Sequence, residues 1–156
     1  MRLTLASRLS CPAKVAWAAE LKVEFLNELS WPFLLLQPLR PDEALPKKRI
    51  WREGERLRFK AKLFGVMPLG FQDVRVVELN HENLTLVTCE SGGIISFWRH
   101  RVRIRDRGPQ SCLYSDEIEM RAGLLTPFVW SLACIFYRYR HYRRVAWARL
   151  AGGAGG

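Results

Sequence analysis

One stretch near the C-terminal end, Thr126–Leu150, most constrains what this chain can become. Thr126 offers the side-chain acceptor a helix start needs, and Pro127 suits the first helical position, where an N–H has no intrahelical partner. No Gly or Pro interrupts the residues that follow, up to Leu150. Phe128, Leu132, Ile135, Phe136, Tyr139, Tyr142, Ala146 and Leu150 recur at three- and four-residue steps, which predicts one apolar stripe of about seven turns. Such a stripe needs cover, and almost everything before it reads as short strands. The expected class is therefore α+β, a curved antiparallel sheet of about seven strands wrapped on this helix, with room for a cavity between them.

The strands come in order. Leu3, Leu5, Ser7 and Leu9 alternate with Arg2, Thr4, Ala6 and Arg8, a half-buried first strand. Ser10 or Cys11 is expected to cap a helix opening at Pro12, and a second helical piece over Glu24–Leu29 ends before Pro32. Phe33–Leu36 is a continuous apolar run fit for a buried strand. Pro38, Pro41 and Pro46, with Asp42 and Glu43, form a loop. From Trp51 the period becomes two: Leu57, Phe59, Ala61 and Leu63 face one way, and Arg56, Arg58, Lys60 and Lys62 form a solvated outer row. Gly65–Gly70 is a turn. Phe71–Leu79 is a strand whose parity stays open, because Asp73 and Arg75 interrupt one face and Glu78 the other.

The next strands carry the candidate chemistry. Glu90 shares parity with Leu84 and Leu86, which points it inward, just before the Gly92-Gly93 turn. Ile94–Arg105 places Trp98 and His100 on the inner face and Arg99, Arg101, Arg103 and Arg105 on the outer one. Ser111–Arg121 places Cys112, Tyr114, Asp116, Ile118 and Met120 inward. Two hairpin registers satisfy this parity, one setting His100 directly opposite Asp116 and the other setting it one diagonal away.

The chain has 156 residues, 49% of them hydrophobic and 12% aromatic, with a net charge of +10. This length suits one domain over residues 2–150 that buries roughly two-thirds of its unfolded-chain surface without disulfides or metal. Residues 151–156 are a Gly-rich tail expected to be disordered. Cys11, Cys89, Cys112 and Cys134 lie too far apart for a zinc or redox motif and read as small apolar residues in a reducing compartment. The run Leu124–Tyr137 falls short of the ~20 apolar residues a membrane span needs. A cytoplasmic protein with no cofactor and no metal is expected. No phosphate loop, nucleophile elbow or HExxH motif occurs.

Ser10-Cys11-Pro12-Ala13-Lys14-Val15-Ala16-Trp17, the Glu90-Ser91-Gly92-Gly93-Ile94 turn with Trp98-Arg99-His100-Arg101, Tyr114-Ser115-Asp116-Glu117-Ile118, and Ala122-Gly123 leading to Phe136-Tyr137-Arg138-Tyr139-Arg140 resemble an uncharacterised bacterial branch of the START-like, or SRPBCC (polyketide cyclase–Bet v 1), helix-grip superfamily. The resemblance covers residues 2–150. It implies a helix-grip fold whose members bind lipids, sterols or plant hormones, or cyclise polyketides, and it fixes no activity, because function resides in sites grafted on a fold.

Three constellations remain. His100 with Asp116, extended by Glu90 and Tyr114, reads as a structural pair between strands, as an anchor for a ligand's polar end, or as a general base with its orienting carboxylate. The aromatic set Trp98, Phe128, Trp130, Phe136, Tyr137 and Tyr139 either fills the core or lines a pocket. Arg138, Arg140, His141, Arg143, Arg144 and Arg149 form a basic helix end, favoured as a solvated terminus over a nucleic-acid footprint or an anionic membrane surface anchored by Trp147. The leading expectation is a binder of a small hydrophobic molecule with a polar end. Glu90, His100, Tyr114 and Asp116 would meet that end, and Trp98, Ile118, Met120, Leu132 and Phe136 would form the walls. The alternatives are a cyclase/dehydratase-type enzyme using His100 as general base, and an electrostatic adaptor using the basic helix end.

Overall fold

The computed structural model describes residues 1–39 and 50–153. In chain order the elements are β1 (Arg2–Leu9), α1 (Ala13–Glu20), α2 (Val23–Ser30), β2 (Leu34–Pro38), β3 (Arg56–Leu63), β4 (Met67–Asn80), β5 (Thr85–Gly92), β6 (Ile95–Asp106), β7 (Cys112–Arg121) and α3 (Thr126–Gly153). The strands make one seven-stranded sheet in the order β1-β7-β6-β5-β4-β3-β2, antiparallel at every pairing. The sheet curves around α3, with α1 and α2 filling the crossover from β1 at one edge to β2 at the other. This is the helix-grip α+β architecture.

Local chemistry explains most boundaries. Alternation in β1 and β3 turns Leu3 and Leu9, and Leu57, Phe59 and Ala61, inward. The uncertain parity of β4 has a physical cause. A bulge between Val76 and Glu78 inserts one residue, so Val74 and Val76 are buried while Val77 is exposed, as a two-against-one pairing requires. A second irregularity opposite Ala61/Lys62 lets β4 run from Met67, so the turn expected over Gly65–Gly70 narrows to Phe64–Val66. Gly92 is required in its turn: its φ is +153°, and a Cβ there would lie 1.9 Å from the Phe71 carbonyl oxygen.

The structure corrects several expectations at the helices. Neither Ser10 nor Cys11 caps α1; Pro12 occupies the N-cap and no side chain bonds the free amides. The Thr126 hydroxyl serves the preceding turn, accepting from the Ala122 amide at 2.9 Å and donating to the Gly123 carbonyl at 2.6 Å. Pro38 closes β2, while the rest of the expected proline loop, with Asp42 and Glu43, lies outside the described residues. Ala151–Gly153 extend α3 rather than fray. Gly152 packs so tightly on the β1–α1 turn that a Cβ would fall 2.0 Å from the Ser10 carbonyl oxygen, a close approach only glycine allows. Residues 154–156 lie outside the described residues.

The largest correction concerns which face of α3 is gripped. The apolar stripe points away from the sheet: Phe128, Leu132, Ile135, Tyr142 and Leu150 are each 49–79% exposed. The buried face is Val129, Ala133, Tyr137, Arg140/His141, Arg144 and Ala148, again spaced by three and four but built from small, aromatic and ionic side chains. Small residues at 133 and 148 let the helix lie close against the sheet.

Apolar side chains gather in two main clusters. One holds Leu9, Trp17, Phe59, Val76, Ile104 and Tyr114 with their neighbours. The other holds Leu3, Trp98, Ile118, Met120, Val129 and Tyr137 with theirs.

Candidate functional site

A belt of polar side chains separates the two clusters, and six elements contribute to it. On β7 it is Asp116, between Tyr114 and Ile118; on β6 it is His100, between Trp98 and Val102. On α3 it is Arg140, His141 and Arg144, between Tyr137 and Ala148; on β1 it is Ser7, between Leu5 and Leu9. On β5 it is Thr88 and Glu90, beyond Leu86, and α1 adds Glu20. Polar groups lodged between apolar layers must find partners, and here they find one another.

Asp116 is the hub, with no exposed surface. Its Oδ1 accepts from His100 Nε2 at 2.7 Å and from the Tyr114 hydroxyl at 2.7 Å, while Oδ2 accepts from His141 Nε2 at 3.0 Å. Arg144 Nη1 stands 3.9 Å from Oδ2. The diagonal hairpin register holds: His100 pairs with Ile118 and Val102 with Asp116, and the side chains close the diagonal. Burial alone would raise the Asp116 carboxyl. The charge and hydrogen bond of His100, the bond from His141 and the charge of Arg144 outweigh it and hold the group well below the usual carboxylate range. Burial pushes the Tyr114 phenol well above its ordinary value, so it stays the donor.

The guanidiniums complete the belt. Arg144 donates to Glu20 Oε2 and lies 3.7 Å over the centre of the Tyr114 ring. Arg140 is 2% exposed and lies against the Phe136 and Tyr137 rings, and its Nε has no hydrogen-bond acceptor among the described residues. Two carboxylates, Asp116 and Glu20, thus face two guanidiniums. Glu90 sits at the belt's end, bonded by the Thr88 hydroxyl at 3.2 Å, and burial raises its carboxyl against the opposing pull of His100, Thr88, Arg140 and Gln72.

The belt reaches the surface along the seam between the sheet's β1 edge and α3. There Leu5, Ala6 and Ser7 on one side, and Arg138, His141, Tyr142 and Val145 on the other, enclose an open groove of about 310 Å³. At its floor Ser7 Oγ lies 2.7 Å from His141 Nδ1. A smaller depression of about 130 Å³ lies on the outer face among Arg2, Arg99, Arg101, Glu117 and Glu119.

The residues proposed from sequence divide. His100, Tyr114 and Asp116 meet in one hydrogen-bonded cluster, and Glu90 and Trp98 lie beside it. Ile118 and Met120 are buried in the second apolar cluster and Phe136 is half-buried against it. Leu132 is on the outward face of α3 and belongs to no inner wall. None of the nine lines the β1–α3 groove except through the belt behind it; Ile118 instead borders the outer depression. Ser7 and His141 were not singled out as a pair, and their sequence separation leaves no local signal. The basic helix end is also redistributed: Arg140, His141 and Arg144 are buried, Arg143 donates to the carbonyls of Trp31 and Glu28, and Trp147 packs its ring 4.9 Å from Phe25. Among the described residues no group of three or more His, Cys, Asp or Glu is placed to hold a metal ion, and no helix is long and apolar enough to cross a membrane.

Solved structures share this fold across nearly the whole chain. A START superfamily protein from Mycobacterium smegmatis superposes with a TM-score of 0.71 at 15% identity, over 96% of this chain and 98% of that one. The Zhui aromatase/cyclase from a Streptomyces species gives 0.70 at 10% identity, over 100% and 98%. Norcoclaurine synthase from Thalictrum flavum, in complex with dopamine and hydroxybenzaldehyde, gives 0.63 at 10% identity, over 94% and 86%. No curated protein sequence matches the chain. Its sequence does match, over residues 7–147, the family described as "Domain of unknown function (DUF8410)", and the chain belongs to that family, built on the START-like helix-grip fold.

Proposed function

We propose that the protein binds a small molecule, with an apolar body and one polar end, between the sheet and α3 in the groove formed by β1 and α3. The observation that carries this reading is the groove itself. Its volume of about 310 Å³ falls at the lower end of the roughly 300–1,000 Å³ typical of small-molecule sites. Leu5, Ala6 and Val145 offer apolar wall, and Ser7 and His141 offer polar atoms at one place on the floor. Asp116, His100 and Tyr114 stand behind that floor and hold His141 in position. That a synthase of this fold is complexed with dopamine and hydroxybenzaldehyde, and that another protein of the fold is an aromatase/cyclase, supports a small-molecule role for the scaffold. The burial of Arg140, His141 and Arg144 weighs against the electrostatic adaptor, because half of the basic cluster faces the interior.

The test is an amide NMR titration with small aromatic compounds carrying one polar end, such as 4-hydroxybenzaldehyde and 4-nitrophenyl butyl ether. Shifts are expected at residues 5–7 and 138–145, and Ala6→Trp, which fills the groove from an exposed position, abolishes them. No shifts, or shifts confined to the outward face around Phe128 and Leu132, would sink the reading.

A further inference from the structure

The groove and the belt meet at Ser7 and His141, whose arrangement with Asp116 behind them has a chemical meaning beyond binding. His141 is bonded on both ring nitrogens: Nε2 to Asp116 Oδ2 at 3.0 Å and Nδ1 to Ser7 Oγ at 2.7 Å. An ionised carboxylate can only accept, so the hydrogen on that side belongs to Nε2. A neutral ring then presents its lone pair at Nδ1, and the group it meets there is the Ser7 hydroxyl, which donates. A hydroxyl, a base and a carboxylate that orients the base are thus in hydrogen-bond contact in that order. Such a constellation is recognised by roles and geometry rather than by order in the chain.

We propose that Ser7 is the nucleophile of an acyl-transfer site, with His141 as its general base and Asp116 as the carboxylate that orients it, acting on carboxylic esters of small apolar acids seated in the β1–α3 groove. The proposal rests on that groove being a ligand site. Three further features fit it. The nucleophile lines the groove, whereas Asp116 is fully buried, so the substrate meets only the reacting end. His100 and Tyr114 bond the other carboxylate oxygen, which fixes Asp116 and through it the His141 ring. Arg138 lines the same groove and brings a positive charge to it, of the sign an oxyanion needs.

The step balances as ordinary acyl transfer. Ser7 Oγ attacks the ester carbonyl carbon as its proton passes to His141 Nδ1. The tetrahedral oxyanion collapses, the bond from the acyl carbon to the leaving oxygen breaks, and His141 returns the proton to that oxygen, releasing the alcohol. Water then enters by the same route, and hydrolysis of the acyl–Ser7 ester releases the acid and restores the hydroxyl.

The probe is 4-nitrophenyl butyrate, with 4-nitrophenyl butyl ether as its non-cleavable counterpart, on the full chain. A butyryl group should be trapped on Ser7 by acid quench and peptide mapping. Ser7→Ala should lower turnover by about 100-fold or more, the contribution expected of base-assisted attack, while the ether still shifts groove resonances. Ser7→Cys keeps a nucleophile at position 7 and should still be acylated there, which guards against a fold defect in the alanine variant. If the ether binds but position 7 is never acylated, or Ser7→Ala turns over like wild type, the triad is overturned and the binding reading stands. If the ether does not bind the groove, both fall.

Discussion

Asp116→Asn is the most direct probe of the interior. The substitution preserves shape almost atom for atom and removes one charge at a position with no solvent exposure. The carboxylate accepts three hydrogen bonds, from His100, Tyr114 and His141, and lies 3.9 Å from an Arg144 nitrogen. An amide offers one acceptor oxygen and turns N–H groups toward the other side, so a ring there either loses its acceptor or must change tautomer, and Arg140 and Arg144 lose half their compensating charge. Removing one member of a buried ionic network costs about 3–5 kcal/mol, a large share of the roughly 5–15 kcal/mol that holds a domain folded. For a chain of this size that lowers the melting temperature by on the order of 6–20 °C. The control is Asp73→Asn, which breaks a pair of shorter contact, Arg58 Nε to Oδ1 at 2.6 Å, with both side chains about half exposed. An exposed pair of this kind is worth about 0–1 kcal/mol. Urea denaturation of both variants, with slopes matching wild type, gives the comparison. If Asp116→Asn costs no more than Asp73→Asn, the belt is not what holds the interior, and the argument from burial fails.

Two further predictions follow from the same geometry. Leu132→Gln should change stability by no more than about 0.5 kcal/mol, whereas Ala133→Leu, one residue on and 4% exposed, should cost about 1–3 kcal/mol by overpacking against the sheet; the reverse order would mean α3 is gripped by its apolar stripe after all. Burial raises the Glu90 carboxyl above its ordinary 4.5, so its contribution to stability is complete below that value and is lost as pH rises through the raised folded value. Glu90→Gln has no proton to lose, and its stability relative to wild type should therefore climb as pH rises above the ordinary 4.5; a flat difference would place Glu90 in a solvated setting.

How much of this was legible depends on what each pattern encodes. Alternation in β1, β3, β6 and β7 reports which side chains face inward, because a strand has only two faces, and that alone puts His100, Tyr114 and Asp116 on one face. It could not choose between two hairpin registers of equal parity. It also failed in β4, where the bulge at Val76/Glu78 resets the phase without leaving a glycine or proline to mark it. Helical periodicity is weaker evidence, since a helix with two eligible faces shows the same spacing on each. Counting apolar residues chose the face with Phe128, Leu132 and Ile135. The signal for the other face was the placement of Ala133 and Ala148, small enough for close approach, in line with Arg140, His141 and Arg144, whose partners lie on β7 and α1. The meeting of Ser7 with His141 spans 134 residues and depends on β1 forming the sheet edge beside α3, a fact of topology that no local pattern carries.

The orientation of α3 is a contest that the polar belt decides. A rotation of roughly 160°, nearly half a turn, would bring the stripe inward. Burying its five exposed side chains at roughly 1.5–3 kcal/mol each would favour that by something near 10 kcal/mol. Two terms oppose it. Phe128, Leu132 and Ile135 are too bulky to occupy the close contact that Ala133 and Ala148 allow, so the helix would lift and both clusters would lose their packing against it. The rotation would also carry Arg140, His141 and Arg144 out, leaving Asp116 without His141 and Arg144 and Glu20 without Arg144, at a cost of several kcal/mol. The terms are of similar size, which is why apolar counting alone selects the wrong face. The belt's contribution is therefore one of specificity. It fixes the rotation of the helix, and that rotation alone sets His141 between Asp116 and Ser7 at the floor of the groove.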